Sequence, residues 1–268
     1  MATIAEYVEA RELAKALTLR EIRGQYKGSI LGWLWSLLNP LTTVLVFSFL
    51  FLVLGAPAPV GDPSGLKFYA LYFFTGLVPW NFFSATVSGS AGSLVNQGSL
   101  ISKVYFPRAI VVVSKLGAVG FTSLMEMTVA VVLLLIAGNM VLPWLPVVLL
   151  LLVLQSCLAL GVGLMLAVAN VYFRDVGHFV GILLQVGFYS APIVYPISLV
   201  EEKLGADRLW LYRLNPLVDL IEAYHHVLYD LRMPSLAWLA YVAAWAAVVL
   251  GLGVLMFNRF EPRLAEEL

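Results

Sequence analysis

Long apolar runs separated by short polar connections dominate the chain. A helix that crosses about 30 Å of hydrocarbon at 1.5 Å per residue needs roughly 20 largely apolar residues. Six stretches meet that need: about Ile30 to Gly55, a second from Phe68 past Pro79 into the small-residue run Ser84 to Ser93, then about Leu116 to Ala137, Trp144 to Ala169, Phe179 to Ile197 and Leu236 to Phe257. The uncharged stretch from Phe68 to Ser102 is too long for one upright helix, so its end is expected to leave the membrane near Ser93 as a short cytoplasmic helix. The pattern predicts an all-α, polytopic membrane protein. Residues 1–29 form an amphipathic interface helix and residues 30–268 a six-helix transmembrane domain.

The polar connections carry their own periodicities. From Glu9 to Arg23, Ala10, Leu13, Ala14 and Leu17 share one side of a helix, while Arg11, Glu12, Lys15, Arg20 and Arg23 take the rest, as in a helix lying on a membrane surface. It serves as a simple anchor or as a docking element for a cytoplasmic partner. The links Leu94 to Arg108, with Lys103 and Arg108 around Pro107, and Asn170 to His178, with Arg174 and Asp175, stop transfer through the bilayer or add to a docking platform. The segment Ser198 to Pro234 is too polar to span. After Asn215 and Pro216 it holds Leu217, Leu220, Ile221, Tyr224, Leu228 and Leu231 at helical intervals, the pattern of a short helix that re-enters the outer leaflet where protein covers its backbone.

Composition agrees: 61% of residues are hydrophobic and 12% charged, against roughly 25% charged in a soluble domain. The formal net charge is zero, so no basic field points to nucleic acid. The distribution of charge predicts orientation. Arg11, Lys15, Arg20, Arg23 and Lys27, then Lys103, Arg108 and Lys115, Arg174, and finally Arg259 and Arg263 put eleven of the sixteen basic residues on the side of the termini, which is therefore expected to be cytoplasmic. The polar start of the chain does not read as a signal peptide.

Chemistry-bearing residues are few. Cys157 is the single cysteine, and His225 and His226 are adjacent and point apart on a helix, so no metal centre is expected. Glu126 is the one acidic residue well inside a predicted span, where a carboxylate is costly unless paired, hydrated or protonated. Gly28 with Gly32, and Gly177 with Gly181, have the four-residue spacing of close helix packing. No GxxxxGK[ST] phosphate loop occurs, so the chain is not expected to hydrolyse ATP by itself.

The run Tyr26-Lys27-Gly28-Ser29, then Leu31-Gly32, Trp35 and Pro40-Leu41, followed by Lys103 with Phe106-Pro107-Arg108, Phe173-Arg174-Asp175, Pro192-Ile193 with Tyr195-Pro196, and Asn215-Pro216, resembles the ABC-2 type permeases that export O-antigen polysaccharide or wall teichoic acid. The resemblance covers nearly the whole chain. It implies a multi-pass subunit of the cell (inner) membrane that pairs with a second copy of itself and with two nucleotide-binding ATPase subunits. ATP and Mg would be bound by those partners, with no cofactor in this chain. The complex would move a lipid-linked glycan outward between the two permeases. By the same resemblance, Arg11, Lys15, Arg20 and Arg23 lie on a gate helix against the ATPase, Lys103, Tyr105, Arg174 and Asp175 on coupling helices, and Ser198 to Leu231 on short outer gate helices.

A polymer path needs weak, repeated contacts, and aromatic faces pack on sugar C–H surfaces without fixing one register. Trp35, Tyr72, Phe73, Trp80, Phe82, Phe188, Tyr189 and Tyr195 are the candidates. Rival readings are a permease for a drug or small lipid, a membrane-embedded transferase acting on a lipid carrier, and a secondary transporter.

Overall fold

The computed structural model describes residues 11–55, 58–101, 103 and 106–267, whose regular elements are all helices, with no strand among the described residues. Helix α1, Arg11–Tyr26, ends at a turn in which Gly28 (φ 78°) and Gly32 (φ 51°) take the left-handed backbone that glycine adopts without a steric penalty. A β-carbon at either would meet nothing within 4 Å. The Gly28/Gly32 spacing therefore marks a chain reversal within this protomer, not a packed helix pair.

After that turn come α2 (Leu34–Val53), α3 (Tyr69–Asn96), the short α4 (Gly98–Ile101) and α5 (Ala109–Ile136). A 3-10 turn, Leu142–Trp144, leads into α6 (Leu145–Tyr172), followed by α7 (Val176–Ser190), α8 (Ile197–Leu204), α9 (Leu209–Tyr212) and α10 (Pro216–Tyr224). A π-helical turn, His225–Asp230, extends α10, and α11 (Leu236–Phe260) and α12 (Leu264–Glu267) close the chain.

Among the described residues, four segments are long and apolar enough to cross a membrane: Leu34–Val53, Ala109–Ile136, Leu142–Tyr172 and Leu236–Arg263. The other two expected crossings fall on α3 and α7, and each departs from that pattern for a physical reason. Helix α3 is the hub of the bundle, packed on α2, α5, α6 and α7. Thr75, Gly76, Thr86, Ser90 and Ser93 are buried against its neighbours, so it needs less apolarity than a helix facing lipid. Helix α7 has 15 residues, about 22 Å of rise, less than the hydrocarbon thickness.

The tightest pairing joins α6 to α11. A β-carbon on Gly161 would lie 2.6 Å from backbone atoms of Val249 and Leu250, and one on Gly253 would lie 2.9 Å from Gly161 Cα. Backbones this close gain dispersion contacts, the main favourable term where lipid is as apolar as the side chains. Helices α2 and α7 are held far more loosely: Pro40 and Val44 are the buried residues of α2, and Val180 that of α7.

Candidate functional site

The polar connections gather at two ends of the bundle. At one, Leu17 of α1 packs with Leu94, Phe106, Ile110, Val168, Phe257 and Leu264, which brings α1, the α3–α5 link, the α6–α7 turn and the chain end together. Arg20 Nη2 donates to Gln97 Oε1, Gln97 Nε2 donates to Glu21 Oε1 at 3.2 Å, and Lys115 Nζ pairs with Glu21 Oε2 at 3.2 Å. Arg20 thus bonds within the chain, across α1 and the end of α3. The backbone N–H of Arg108 donates to Glu261 Oε1 at 2.9 Å, and its guanidinium donates to the Glu261 carbonyl. Asn170 Oδ1 accepts from Gly177 N at 3.1 Å, fixing the α6–α7 turn. Gly177 meets only that side chain and Gly181 nothing, so this pair, like the first, mediates no helix packing inside the protomer.

Around this fastened frame the remaining charges stay outside. Arg11, Lys15, Arg23, Lys103, Arg174 and Asp175 are exposed. Arg11 and Lys15 share Glu12, at 3.5 and 2.9 Å, and such solvated pairs add little stability. Tyr105 lies outside the described residues.

At the other end α10 is started by Asn215, whose side chain accepts from Leu217 N at 3.1 Å, with Pro216 in the first turn. His225 lies flat on Tyr72 with ring centroids 4.0 Å apart, and its Nε2 and Nδ1 lie 3.0 Å from the Pro192 carbonyl and Thr75 Oγ1. His226 turns the other way, 3.2 Å from Glu222. Burial opposes ionisation of Glu222, but the His226 hydrogen bond and nearby cationic groups outweigh it and hold its carboxyl below the ordinary range. Arg213 pairs with Asp219 and sits 4.8 Å over the Trp238 ring. Asn139 Nδ2 donates to the carbonyls of Leu228 and Tyr229 at 2.8 and 3.1 Å, satisfying two acceptors of the π turn.

The aromatic candidates divide by burial. Tyr72, Phe73, Trp80 and Phe82 are buried within the chain, and Trp80 closes on Gly187 and Phe188. Trp35 and Tyr189 are about half exposed, at 49% and 58%. Phe188 and Tyr195 lie between, with the Tyr195 hydroxyl donating to the Tyr189 carbonyl at 2.8 Å. Trp35, Phe188, Tyr189 and Tyr195 are therefore the members that something outside the protomer can reach.

The model of the family described as ABC-2 type transporter matches residues 12–229, spanning both ends just described. The chain belongs to that family. The O-antigen export system permease protein RfbA of Myxococcus xanthus is 31% identical over 272 residues, covering 99% of this chain and 98% of its own. The RfbA permease of Klebsiella pneumoniae is 28% identical over 259 residues, with 95% and 94% covered. The polysialic acid transport protein KpsM of Escherichia coli is 27% identical over 264 residues, with 93% and 94% covered.

For this ABC-2 transporter, the apolar helices and the family together give a multi-pass membrane protein acting as a transport component. Sequence periodicity missed Glu21, Gln97, Gln155 and Asn139, whose bonds run between segments far apart in the chain. A polar side chain in an otherwise apolar run, as at Gln155, is the signal that points to such a bond.

Proposed function

We propose that this chain is the transmembrane subunit of an exporter that carries a lipid-linked polysaccharide of O-antigen type outward across the cytoplasmic membrane. The observation that carries the reading is similarity to O-antigen export permeases along nearly the entire chain, without large gaps at either end. The absence of a phosphate loop from the sequence means that energy must come from a separate nucleotide-binding ATPase, present in two copies with ATP and Mg. Helices α2, α3, α5, α6, α7 and α11 make six crossings with both termini cytoplasmic, and α8 to α10 sit at the outer face.

Two copies of the chain enclose the path. The sparse burial of α2 and α7 supports this, since each leaves an apolar face for a neighbour. Trp35, Phe188, Tyr189 and Tyr195 supply aromatic contacts there. Arg11, Lys15, Arg23, Lys103, Arg174 and Asp175 face the ATPase, with Arg20 bracing α1 behind them. Deleting the chain in its host should abolish surface glycan while lipid-linked glycan accumulates inside, and the complex with the ATPase should hydrolyse ATP. Unchanged surface glycan in the deletion strain would overturn the reading.

A further inference from the structure

A cavity of about 310 Å³ lies between α2, α3 and α5, with polar side chains from all three helices in its wall. Helix α2 contributes Ser36, Asn39, Pro40 and Thr43, and α5 contributes Val119, Thr122, Ser123 and Glu126. Both sets have the i, i+3, i+4, i+7 spacing of one helix face, so two stripes are aimed at each other. From α3 come Asn81 and Ser84, with Phe82 beside them. Polar groups within a membrane span are expensive unless something polar meets them.

Glu126 is 93% buried by its 7% exposure, and Asn81 hydrogen-bonds its carboxyl, yet Oε2 has no partner among the described residues. Three of the hydroxyls already donate elsewhere: Ser36 to the Trp33 carbonyl at 2.6 Å, Thr43 to the Asn39 carbonyl at 3.1 Å and Ser84 to the Asn81 carbonyl at 3.3 Å. They therefore turn lone pairs to the cavity. The carboxyl adds acceptors and the two carboxamides add both acceptors and N–H donors, and the wall holds no Lys, Arg or His. It does not suit a phosphate or any other anion. It suits a neutral ligand that both donates and accepts hydrogen bonds, as sugar hydroxyls do. The volume corresponds to on the order of ten waters, more than a bare ion needs.

We infer that the cavity is a glycan subsite, holding one or two uncharged sugar rings of the exported chain, with Glu126 accepting from a sugar hydroxyl. This rests on the exporter reading above and deepens it. Ser36 sits in the first turn of α2 and Thr43 two turns further along, so in the proposed topology the cavity leads from the cytoplasmic side toward mid-membrane. It is a station on the inward half of the path, whereas the exposed aromatics Tyr189 and Tyr195 belong to the outer half.

The test uses single cysteines at Thr43→Cys and Ser84→Cys in a Cys157→Ser background, in cells carrying the whole transport system, with N-ethylmaleimide as the probe. Leu252→Cys on the outward face of α11 is the control. Both cavity cysteines should label when glycan synthesis is blocked and label at least threefold more slowly when glycan is made, while Leu252→Cys stays unlabelled. Equal labelling with and without glycan, or no labelling at either cavity position in normally abundant protein, overturns the subsite. Surface glycan scored in the same cells with and without the chain tests the exporter reading separately. Export that depends on the chain while the cysteines stay unprotected sinks the subsite alone.

Discussion

The hydroxyl of Tyr224 donates to Gln155 Oε1 at 2.9 Å, and Gln155 Nε2 in turn donates to the Pro79 carbonyl at 2.6 Å. Both side chains are fully buried, so one amide on α6 ties the short helix α10 to α3. Hydrogen bonds between membrane helices contribute about 0.6 kcal/mol on average and up to about 1.7 kcal/mol, and an orphaned buried partner adds to the loss. Tyr224→Phe should lower stability by about 1 kcal/mol and Gln155→Leu by about 2 kcal/mol. Unfolding by sodium dodecyl sulfate in mixed micelles measures this, and losses below about 0.3 kcal/mol for both variants would mean that the bridge does not hold the helices.

The α6–α11 contact gives a sharper comparison because it contains its own control. Alanine at Gly161 or Gly253 would put a methyl group within 3 Å of facing backbone, which cannot yield without separating the helices, whereas Gly251 has open space. Gly161→Ala and Gly253→Ala should each cost about 1–3 kcal/mol. Gly251→Ala should be neutral or stabilising by up to about 1 kcal/mol through helix propensity. The same detergent unfolding assay ranks the three, and a ranking with Gly251→Ala worst would refute the close approach.

Glu21 receives Lys115 and Gln97 at once, so it bonds α1 to both α5 and the residue that ends α3. Glu21→Lys should reduce surface glycan several-fold while leaving ATP hydrolysis by the complex largely intact, since the exposed charges proposed to face the ATPase are untouched. Combining it with Lys115→Glu restores the pair and should recover at least half of the export. Export in the double variant no better than in Glu21→Lys would show that the pair does not carry the coupling.

Orientation is checked with thiols. In a Cys157→Ser background, Val60→Cys and Asp207→Cys occupy exposed positions expected outside, and Lys103→Cys one expected inside. An impermeant maleimide added to intact cells should modify the first two and reach the third only after lysis. The reverse pattern would invert the topology.

The bundle was legible in the hydrophobic pattern because burial in lipid and burial in protein both demand apolar runs of helical length. Four crossings stand out by apolarity, and α3 and α7 do not, since protein covers the first and the second is short. Pairing was much less legible. The four-residue spacing of Gly28 and Gly32 looks like a packing motif, but a positive φ turns it into a bend, and the close approach falls on Gly161 of α6 and Gly253 of α11, far apart in the chain. The aromatic set shows the same limit. Tyr72 and Tyr189 have the same chemistry, and only the fold puts the first beneath His225 and leaves the second exposed. Glu126 did read as exceptional from sequence, because charge inside an apolar run needs no partner to be noticed.

Tyr229 pins the loop between α2 and α3: its hydroxyl shares its one proton between the Pro59 and Leu66 carbonyls, at 2.8 and 3.1 Å, and accepts from Phe68 N at 3.1 Å, across separations of 161 to 170 residues. At a synthesis rate of about 5–20 residues per second, the loop leaves the ribosome roughly ten to thirty seconds before its clasp exists. The loop and the start of α3 therefore wait without that clasp while α5, α6 and α7 are made. Fastening of this loop is consequently a late event, set by a residue in the C-terminal quarter of the chain, and a nascent protein truncated before Tyr229 lacks the hydroxyl that completes it.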